Sequence, residues 1–378
     1  MNRPFFSIVL PTKNRPALLR DAITSVLLQN FDDYELIVSD NFNDEKTKAV
    51  IDEFKGNPHL SYLRTESELN IPDHWEFATK NTRGVYILIL TDRAFLVQGA
   101  LRNIHATISE SPGDAPVVFW NYGYFDEITG VLRGEKKETG MKILNSTYLL
   151  KNFSLTLDAH YLPRPHVGCY KHSLIQKIRE DLGRLYMPFG PDYTSSMLAL
   201  AYSASVMYLP RPLVFFQGAS VSSGTKAQIS IATYLSSINV PNLYEFIPIK
   251  APINTSLIFN DFLKIKNLAG GNFKDIDIDW VFYFVVCYQA IIESRIIFGT
   301  DQSDQTKLLE AWEKALSSFD KQTQTAVRKA LRWRSLNIVK SYVKTTFIGR
   351  FLWGVKRALL HKPTHVYSSA LHAGGFKN

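Results

Sequence analysis

The chain has 378 residues, of which 46% are hydrophobic and 21% charged. This composition is typical of a globular protein with a large core and excludes a disordered chain. The net charge is +8, but residues 321–378 hold twelve Lys or Arg and no Asp or Glu, so the first 320 residues carry −4.

The two cysteines, Cys169 and Cys287, give neither a disulfide framework nor a zinc pattern. We therefore expect a reducing compartment. No segment predicts a leader or a membrane span: Phe5–Leu10 is too short for the core of a signal peptide, and the longest apolar run, Trp280–Ile292, is too short to cross a bilayer. These patterns predict a cytoplasmic protein.

Strand and helix patterns alternate along the first 120 residues. Short apolar runs rich in β-branched residues predict strands, and apolar residues at helical spacing predict the helices between them. The predicted strands are Ser7–Leu10, Glu35–Val38, Leu60–Leu63, Val85–Leu90 and Val117–Trp120, and the predicted helices begin at Pro16, Glu45 and Asp73. The alternation predicts an α/β layered fold with a mainly parallel sheet. The absence of a glycine-rich dinucleotide loop and of a phosphate-loop lysine motif argues against a dinucleotide dehydrogenase and a phosphate-loop ATPase.

The pattern changes near Gly224, where the strand signals end. Further along, Val281–Ile297 and Ala311–Leu316 have helical periodicity. We therefore expect three regions: an α/β domain over 1–224, a helical extension over 225–320 and a basic tail over 321–378.

The tail combines basic residues with apolar residues at helical spacing. This is typical either of an amphipathic helix on an anionic membrane surface or of a helix packed on the body with a solvated basic face. Nucleic acid is not expected as a partner because no motif interleaves aromatic residues with the charge.

Polar segments follow three of the predicted strands at the point where each strand ends. They are Pro11–Arg15, Ser39–Asn41 and Thr91–Arg93. Because ligands of open parallel sheets bind beyond the carboxyl ends of the strands, we expect these segments to converge on one edge. Their carboxylates and amides suit a base and a ribose, and their cations suit a diphosphate.

Residues Phe6–Leu96 resemble the family 2 glycosyltransferases, which have the GT-A fold. The resemblance depends on several motifs in the right order, and these are Ser7–Arg15, Ser25–Gln29, Glu35–Asn41 and the residues Asn70, Trp75, Ala78, Arg83 and Gly84. A looser resemblance continues to Gly224. The family implies transfer of a sugar from a nucleotide-diphosphate sugar, with UDP favoured, to an acceptor hydroxyl with inversion. It also implies a role in cell-surface polysaccharide or glycolipid biosynthesis, with a glycan or a lipid-linked acceptor at the inner face of the cell membrane.

The resemblance assigns the donor site to residues that follow the strands. By this resemblance the nucleotide sugar contacts Pro11, Thr12, Asn14, Arg15, Asp40, Asn41, Arg83, Asp92 and Arg93. Asp40 is expected to accept from the base, and Asp92 falls in the family's metal motif. The second Asp of that motif is Ala94 here, which leaves open whether Mg²⁺ or Mn²⁺ is held by Asp92 with phosphates and waters or whether Arg93 supplies the positive charge. We expect weak or conditional metal dependence.

The acceptor side of the site needs a base, because an inverting transfer requires a group that takes the proton of the acceptor hydroxyl. Asp192 is the candidate, and its alternative role is that of a helix N-cap. The resemblance places His166 near the acceptor. Trp120 and Tyr122 lie just past a strand, where they either stack on a sugar or pack in the core, and core packing is favoured. Ser222–Gly224 is a further candidate for diphosphate contact.

Three alternatives remain open at the level of the sequence. A sugar nucleotidyltransferase has a similar core, but Pro11–Arg15 lacks the glycine-rich loop of that class. A family member without turnover, in which Ala94 disables the metal motif, would bind nucleotide or glycan as a scaffold in a glycan-assembly complex. A nucleic-acid binder would act through the tail.

Overall fold

The structure is a computed structural model of the protein. It describes residues 3–42, 45–111, 113, 115–134, 139–188, 190–217, 235, 242–298, 301–332, 367 and 369–376.

The first ninety residues fold as the alternation predicts. The elements are β1 (Phe6–Thr12), α1 (Pro16–Leu27), β2 (Tyr34–Asp40), α2 (Glu45–Asp52), β3 (Leu60–Arg64), α3 (Ile71–Lys80) and β4 (Tyr86–Ile89). Every side chain of β1 and β2 is buried, which explains their continuous apolar runs. Both strands extend beyond the predicted ends, so that Thr12 and Asp40 are the last paired residues of β1 and β2.

The following elements lie largely beyond the sequence prediction. They are β5 (Ala94–Leu96), α4 (Ala100–Ser109), β6 (Val117–Asp126), β7 (Val131–Gly134), β8 (Lys142–Asn145), α5 (Ser146–Thr156), β9 (Gly168–Lys171), α6 (His172–Leu182), α7 (Pro191–Ala201) and β10 (Ser205–Phe216). Of these, the sequence predicted only the start of β6 and the helix after Asp192.

Within the described part of the chain these strands form one sheet in the order β3-β2-β1-β4-β9-β6-β10-β5, with β7 paired to β6 and β8 to β10. The strands β3, β2, β1 and β4 are parallel neighbours, while β9 runs antiparallel to both β4 and β6. Strand β6 therefore runs in the same direction as β4, and β10 pairs parallel with β6. The prediction of an α/β fold with a mainly parallel sheet is confirmed.

Alternate residues of β1 enter two hydrophobic clusters, one on each face of the sheet. Val9 belongs to the cluster that includes α7, whereas Ile8 and Leu10 belong to the cluster that includes α1. The C-terminal helices α8 (Asn254–Ala269), α9 (Trp280–Phe298) and α10 (Gln302–Ser317) join the first cluster. The predicted helical C-terminal region is therefore confirmed, and it packs on the face of the sheet that carries α7.

Both ends of the predicted basic tail are part of the folded body. Residues 321–332 are helical, and Val327 in that helix is fully buried. At the other end the Tyr367 amide donates to the Gly130 carbonyl at 2.8 Å, and Phe376 is buried. Most of the predicted amphipathic part, 333–366, lies outside the described residues. Across the ranges that the structure covers, no helix has the length and hydrophobicity needed to span a bilayer.

Candidate active site

The carboxyl ends of β1, β2 and β4 bring three predicted site residues together. Thr12 and Asp40 are opposite each other in the register of β1 and β2. The Thr12 hydroxyl also donates to Asp92 Oδ2 at 3.1 Å, across 80 residues of sequence. Thr12 therefore joins the two carboxylates at one edge of the sheet, as expected for the carboxyl ends of parallel strands.

Asp92 is held by charge as well as by Thr12. Arg15 Nη1 donates to Asp92 Oδ1 at 2.8 Å, and the Asp92 side chain is only 2% exposed. Burial raises the pKa of Asp92, and the Arg15 guanidinium opposes that rise. Asn14 lies at the turn between β1 and α1 with a φ of 59°, a left-handed conformation in which Asn is enriched. This turn places Arg15 back over the strand ends.

Asp40 and Asn41 differ in what their side chains do. Asp40 is fully buried, and its Oδ2 accepts from the Tyr62 hydroxyl at 2.9 Å. Burial and this hydrogen bond raise the pKa of Tyr62 to about 12. Asn41 instead binds the backbone of Leu69, whose carbonyl accepts at 2.7 Å and whose amide donates at 2.8 Å. Asn41 thus fixes the loop beside Asp40, a role that the sequence did not indicate.

The structure does not bring Arg83 to this edge. Its Nε and Nη2 donate to Glu35 Oε2 at 3.0 and 2.8 Å. Glu35 pairs with Ser7 near the start of β1, at the opposite end of the strands from Thr12 and Asp40. The Arg83 guanidinium is committed to this ion pair, and we leave it out of the proposed site.

Glu35→Gln is expected to lower the free energy of unfolding by about 1–3 kcal/mol, because Glu35 accepts from Ser7, from the Arg83 backbone and from its guanidinium. Nucleotide affinity should stay at the wild-type value, since these contacts lie at the far edge of the sheet. Urea unfolding and calorimetric nucleotide titration measure the two quantities. A loss of affinity without a loss of stability would return Arg83 to the site.

A second group of side chains extends from Asp92 across the sheet. The rings of Tyr122, Tyr124 and Phe216 contact one another, and we call these three residues the aromatic cluster. The Arg93 guanidinium lies 5.0 Å from the Phe216 ring centroid, and the Arg164 guanidinium lies 5.1 Å from that of Tyr122. Each arginine is therefore oriented by a cation–π contact with the same cluster.

His166 lies close enough to both arginines to interact with their charges. Its ring is 5.6 Å from the Phe216 ring, and its pKa is held well below the usual value by burial and by the charges of Arg164 and Arg93. The imidazole is therefore neutral at pH 7 and does not add a third positive charge.

Asp192 lies in the first turn of α7, but it is not the cap. The N-cap is Gly190, so the N-cap alternative for Asp192 is not what the structure shows. Burial raises the pKa of Asp192, and the nearby charge of Arg164 lowers it. Arg164 is thus the counter-charge that favours the ionised carboxylate. Arg93, His166 and Arg164 connect the Asp92 side of the site with Asp192.

Trp120 is not available to a sugar. Its side chain is 2% exposed and belongs to the hydrophobic cluster on the α1 face of the sheet. Of the two alternatives for Trp120, the structure shows core packing and not stacking on a sugar, because β6 turns this residue into the core. Two residues of the aromatic cluster, Tyr122 and Tyr124, lie on the same strand as Trp120, and the side chain of Tyr124 is 49% exposed. Ser222–Gly224 lies outside the described residues.

Arg164 is a residue that sequence reasoning missed, although it stands directly before the Pro165-His166 segment. The charge of a residue in a short proline-rich loop gives no sign of its partner. Only the fold shows that it lies between Tyr122 and Asp192.

The residues around Asp92 do not fit a divalent cation held by the protein. Both Asp92 oxygens accept hydrogen bonds, from Arg15 and Thr12, and the position two residues further on is Ala94. Across the described ranges no group of three His, Cys, Asp or Glu is arranged to hold a metal. Residues 218–241, which follow β10, contain no Asp, Glu, His or Cys. The ligand set expected for Mg²⁺ or Mn²⁺ is thus reduced to one carboxylate.

Comparison with known sequences finds a family match in the N-terminal part of the chain. The model of the family described as "Glycosyl transferase family 2" matches residues 7–171. We call residues 7–171, which are less than half of the chain, the family 2 segment. The family 2 segment contains β1 to β9 and the edge with Thr12, Asp40 and Asp92, and it ends before α7 and Asp192.

A curated relative of the family 2 domain is a GalNAc(5)-diNAcBac-PP-undecaprenol beta-1,3-glucosyltransferase from Campylobacter jejuni. It is 30% identical over 109 residues, which is 28% of this chain and 35% of the relative. The matched region therefore spans about a third of that protein's length.

Two solved structures align with most of the chain at low sequence identity and with TM-scores below 0.5. S. aureus TarS 1–349 in complex with UDP-GlcNAc is 14% identical with a TM-score of 0.49, over 86% of this chain and 92% of that chain. The mannosyltransferase PcManGT from Pyrobaculum calidifontis, in complex with GDP-Man and Mn²⁺, is 14% identical with a TM-score of 0.43, over 92% of this chain and 88% of that chain.

Proposed function

We propose that the protein is a glycosyltransferase that moves a sugar from a nucleotide-diphosphate sugar to an acceptor hydroxyl with inversion. The observation that carries this proposal is the Thr12–Asp92 hydrogen bond beside Asp40, which unites three separate strand ends of a family 2 domain. A UDP-sugar is the favoured donor.

The residues at the strand ends bind different parts of the donor. Asp40 accepts from the base, and Pro11, Asn14 and Asn41 line the pocket around base and ribose. The diphosphate lies against Arg15 and Arg93. Arg93 follows Asp92 directly in sequence, and Arg15 forms an ion pair with Asp92. Guanidinium groups match phosphate oxygens with paired hydrogen bonds, so this side of the edge suits the charged part of the donor.

The reaction then needs one proton transfer and one displacement. Asp192 takes the proton of the acceptor hydroxyl while the acceptor oxygen bonds to the anomeric carbon, and the bond to the nucleoside diphosphate breaks. The negative charge that develops on the leaving diphosphate is stabilised by Arg93. The charge of Arg164 opposes the rise that burial causes in the pKa of Asp192, and so favours the ionised carboxylate that takes the proton.

In this scheme the negative charge of the leaving diphosphate is stabilised without a metal ion. One carboxylate, Asp92, faces two guanidinium groups, Arg15 and Arg93, which leaves the group with a net positive charge for the diphosphate. We therefore propose weak or conditional dependence on Mg²⁺ or Mn²⁺, with Asp92 as the residue that would contact a bound ion.

For the acceptor we propose a glycan or a lipid-linked intermediate of cell-surface polysaccharide or glycolipid biosynthesis. The name of the C. jejuni relative specifies an undecaprenol-linked substrate, which supports this class. A lipid-linked acceptor requires access to a membrane, and the basic residues of 321–378 supply attraction to an anionic surface. We propose a peripheral location at the cytoplasmic face of the cell membrane.

Asp40→Asn tests the donor assignment in a panel of UDP, GDP, CMP and dTDP. Wild-type protein should bind UDP most tightly, and Asp40→Asn should weaken that affinity about tenfold or more, since a hydrogen bond to a charged group contributes about 1.5–3 kcal/mol. Asp52→Asn, an exposed carboxylate paired with Lys48, is the matched control and should leave affinity unchanged. Absence of nucleotide binding, or equal affinities in wild type and Asp40→Asn, contradicts the assignment.

A family member without turnover is the second candidate, and Ala94 is the observation that favours it. Such a protein would bind nucleotide or glycan as a scaffold in a glycan-assembly complex. Incubation with a panel of nucleotide sugars separates the two functions, because an enzyme releases nucleoside diphosphate by transfer or slow hydrolysis and a scaffold does not.

A further inference from the structure

The helix that carries Asp192 is held at both ends by the C-terminal helical region. At its start, the Gly190 amide donates to Asp261 Oδ2 on α8 at 3.0 Å. At its end, Asn272 Nδ2 donates to the carbonyls of Leu200 and Ser203 at 2.9 and 2.8 Å. These contacts come from residues beyond the family 2 segment and reach back over about seventy residues of sequence.

The contact between Gly190 and Asp261 is close and buried. Asp261 is 4% exposed, and a Cβ atom at position 190 would lie 3.0 Å from Asp261 Oδ2. Glycine therefore allows the approach of the carboxylate to the backbone. Gly190 is the N-cap of α7 and offers no side chain to cap its own helix. The Asp261 carboxylate accepts from the Gly190 amide, the donor that an N3 side chain satisfies in a capping box.

The side chains near the start of α7 do not duplicate this contact. The hydroxyls of Thr194, Ser195 and Ser196 all donate to backbone carbonyls, those of Gly190, Pro191 and Asp192. They tie the first turn to itself and accept nothing from the Gly190 amide. Asp261 therefore provides a hydrogen bond that joins the start of this turn to α8.

We propose that Asp261 is a positioning residue for the transfer reaction: it fixes the first turn of α7 and so sets where the Asp192 carboxylate meets the acceptor hydroxyl. This inference rests on the proposed function, because it assigns a task to Asp261 only if Asp192 is the base. It gives the C-terminal helices a part in the chemistry in addition to their part in the core.

The pKa of Asp261 depends mainly on burial, with a smaller contribution from Asp192. Burial raises the pKa of Asp261 to about 7; the Gly190 hydrogen bond and Lys264 on the same helix oppose the rise, and Asp192 on α7 adds to it. Asp261 is therefore mostly protonated below pH 7 and ionised above it. Ionisation strengthens the hydrogen bond from Gly190 and places a second negative charge near Asp192.

Asp261→Ala removes the acceptor and should lower kcat on the order of tenfold to a hundredfold, the usual result of a small misplacement of a reacting group. UDP affinity should stay within about twofold of wild type because the donor edge is held by other contacts. Asp261→Asn keeps an acceptor oxygen, so its kcat at neutral pH should lie closer to wild type. Its pH–rate profile should lack the inflection near pH 7 that ionisation of Asp261 gives the wild-type protein. Asp277→Asn, an exposed partner of Lys266 on α8, is the matched control and should behave as wild type.

The measurements are kcat, donor KM, UDP affinity and melting temperature of the full chain across pH 5–9. Wild-type kcat in folded Asp261→Ala overturns the proposal, and so does a parallel fall of kcat, UDP affinity and melting temperature, which indicates a merely structural role. If Asp261→Ala does not fold, an Asp261→Asn profile identical to wild type overturns it. Activity of Asp192→Asn would instead refute the proposed function, which separates the two failures.

Discussion

Asp192→Asn is expected to reduce transfer by about 10²- to 10⁴-fold, the range that general-base groups contribute. The amide keeps the size and the hydrogen-bonding shape of the side chain but cannot take a proton at neutral pH. Because Asp192 lies beyond the family 2 segment and is assigned to the acceptor side of the site, UDP affinity should be unchanged. The defect should therefore appear in kcat and not in nucleotide binding.

The pH dependence gives this prediction a second readout. Burial raises the pKa of Asp192 above its ordinary value, so the wild-type rate should fall as the pH decreases through that raised pKa and the carboxylate becomes protonated. The residual rate of Asp192→Asn should lack this acid limb. Asp304→Asn, an exposed carboxylate in the first turn of α10, is the matched control and should retain both rate and profile. Near-normal turnover of Asp192→Asn would remove the base assignment.

The sequence predicts those parts of the fold that local patterns determine. The strands β1, β2 and β4 are continuous apolar runs because both faces of the sheet are covered, and their polar ends mark the edge that we propose as the donor site. Strand β10 escaped prediction because it contains Pro210 and Pro212, which lower strand propensity; its pairing with β6 has register irregularities at this point. The four-residue strand β9 is too short to give a period.

The site residues also fall into two groups, those that local patterns predict and those whose roles depend on distant packing. Asp40 and Asp92 were predicted because each follows a buried strand, and Gly84 belongs to a motif that the structure explains, since a Cβ there would lie 2.4 Å from the Ser7 nitrogen. Arg164 and Asp261 were not predicted because their roles depend on packing between distant segments. The burial that raises the pKa of Asp261 and its contact with Gly190 exist only once α8 packs on α7.

Arg93→Gln is expected to lower kcat by about 10²- to 10³-fold, the usual effect of removing one group that stabilises transition-state charge. The reason is the reduced metal motif. Two carboxylates and a divalent cation together have a net charge of zero. The group formed by Asp92, Arg15 and Arg93 has a net charge of plus one without any ion. Wild-type protein should therefore retain most of its transfer rate in excess chelator, and Mg²⁺ or Mn²⁺ should change that rate only modestly.

The orientation of Arg93 makes the test more specific. Its guanidinium lies over the Phe216 ring and donates to the Gln217 carbonyl at 3.1 Å, so a lysine cannot reproduce both contacts. Arg93→Lys should recover only part of the rate lost in Arg93→Gln, and Arg133→Gln, an exposed arginine of the β6–β7 hairpin, should have wild-type kcat. Complete loss of wild-type transfer in chelator, restored by Mn²⁺, would show that the arginines do not replace the ion. If added Mn²⁺ instead rescues only Arg93→Gln, the ion and the guanidinium are alternative sources of the same charge, because either one can then neutralise the departing diphosphate.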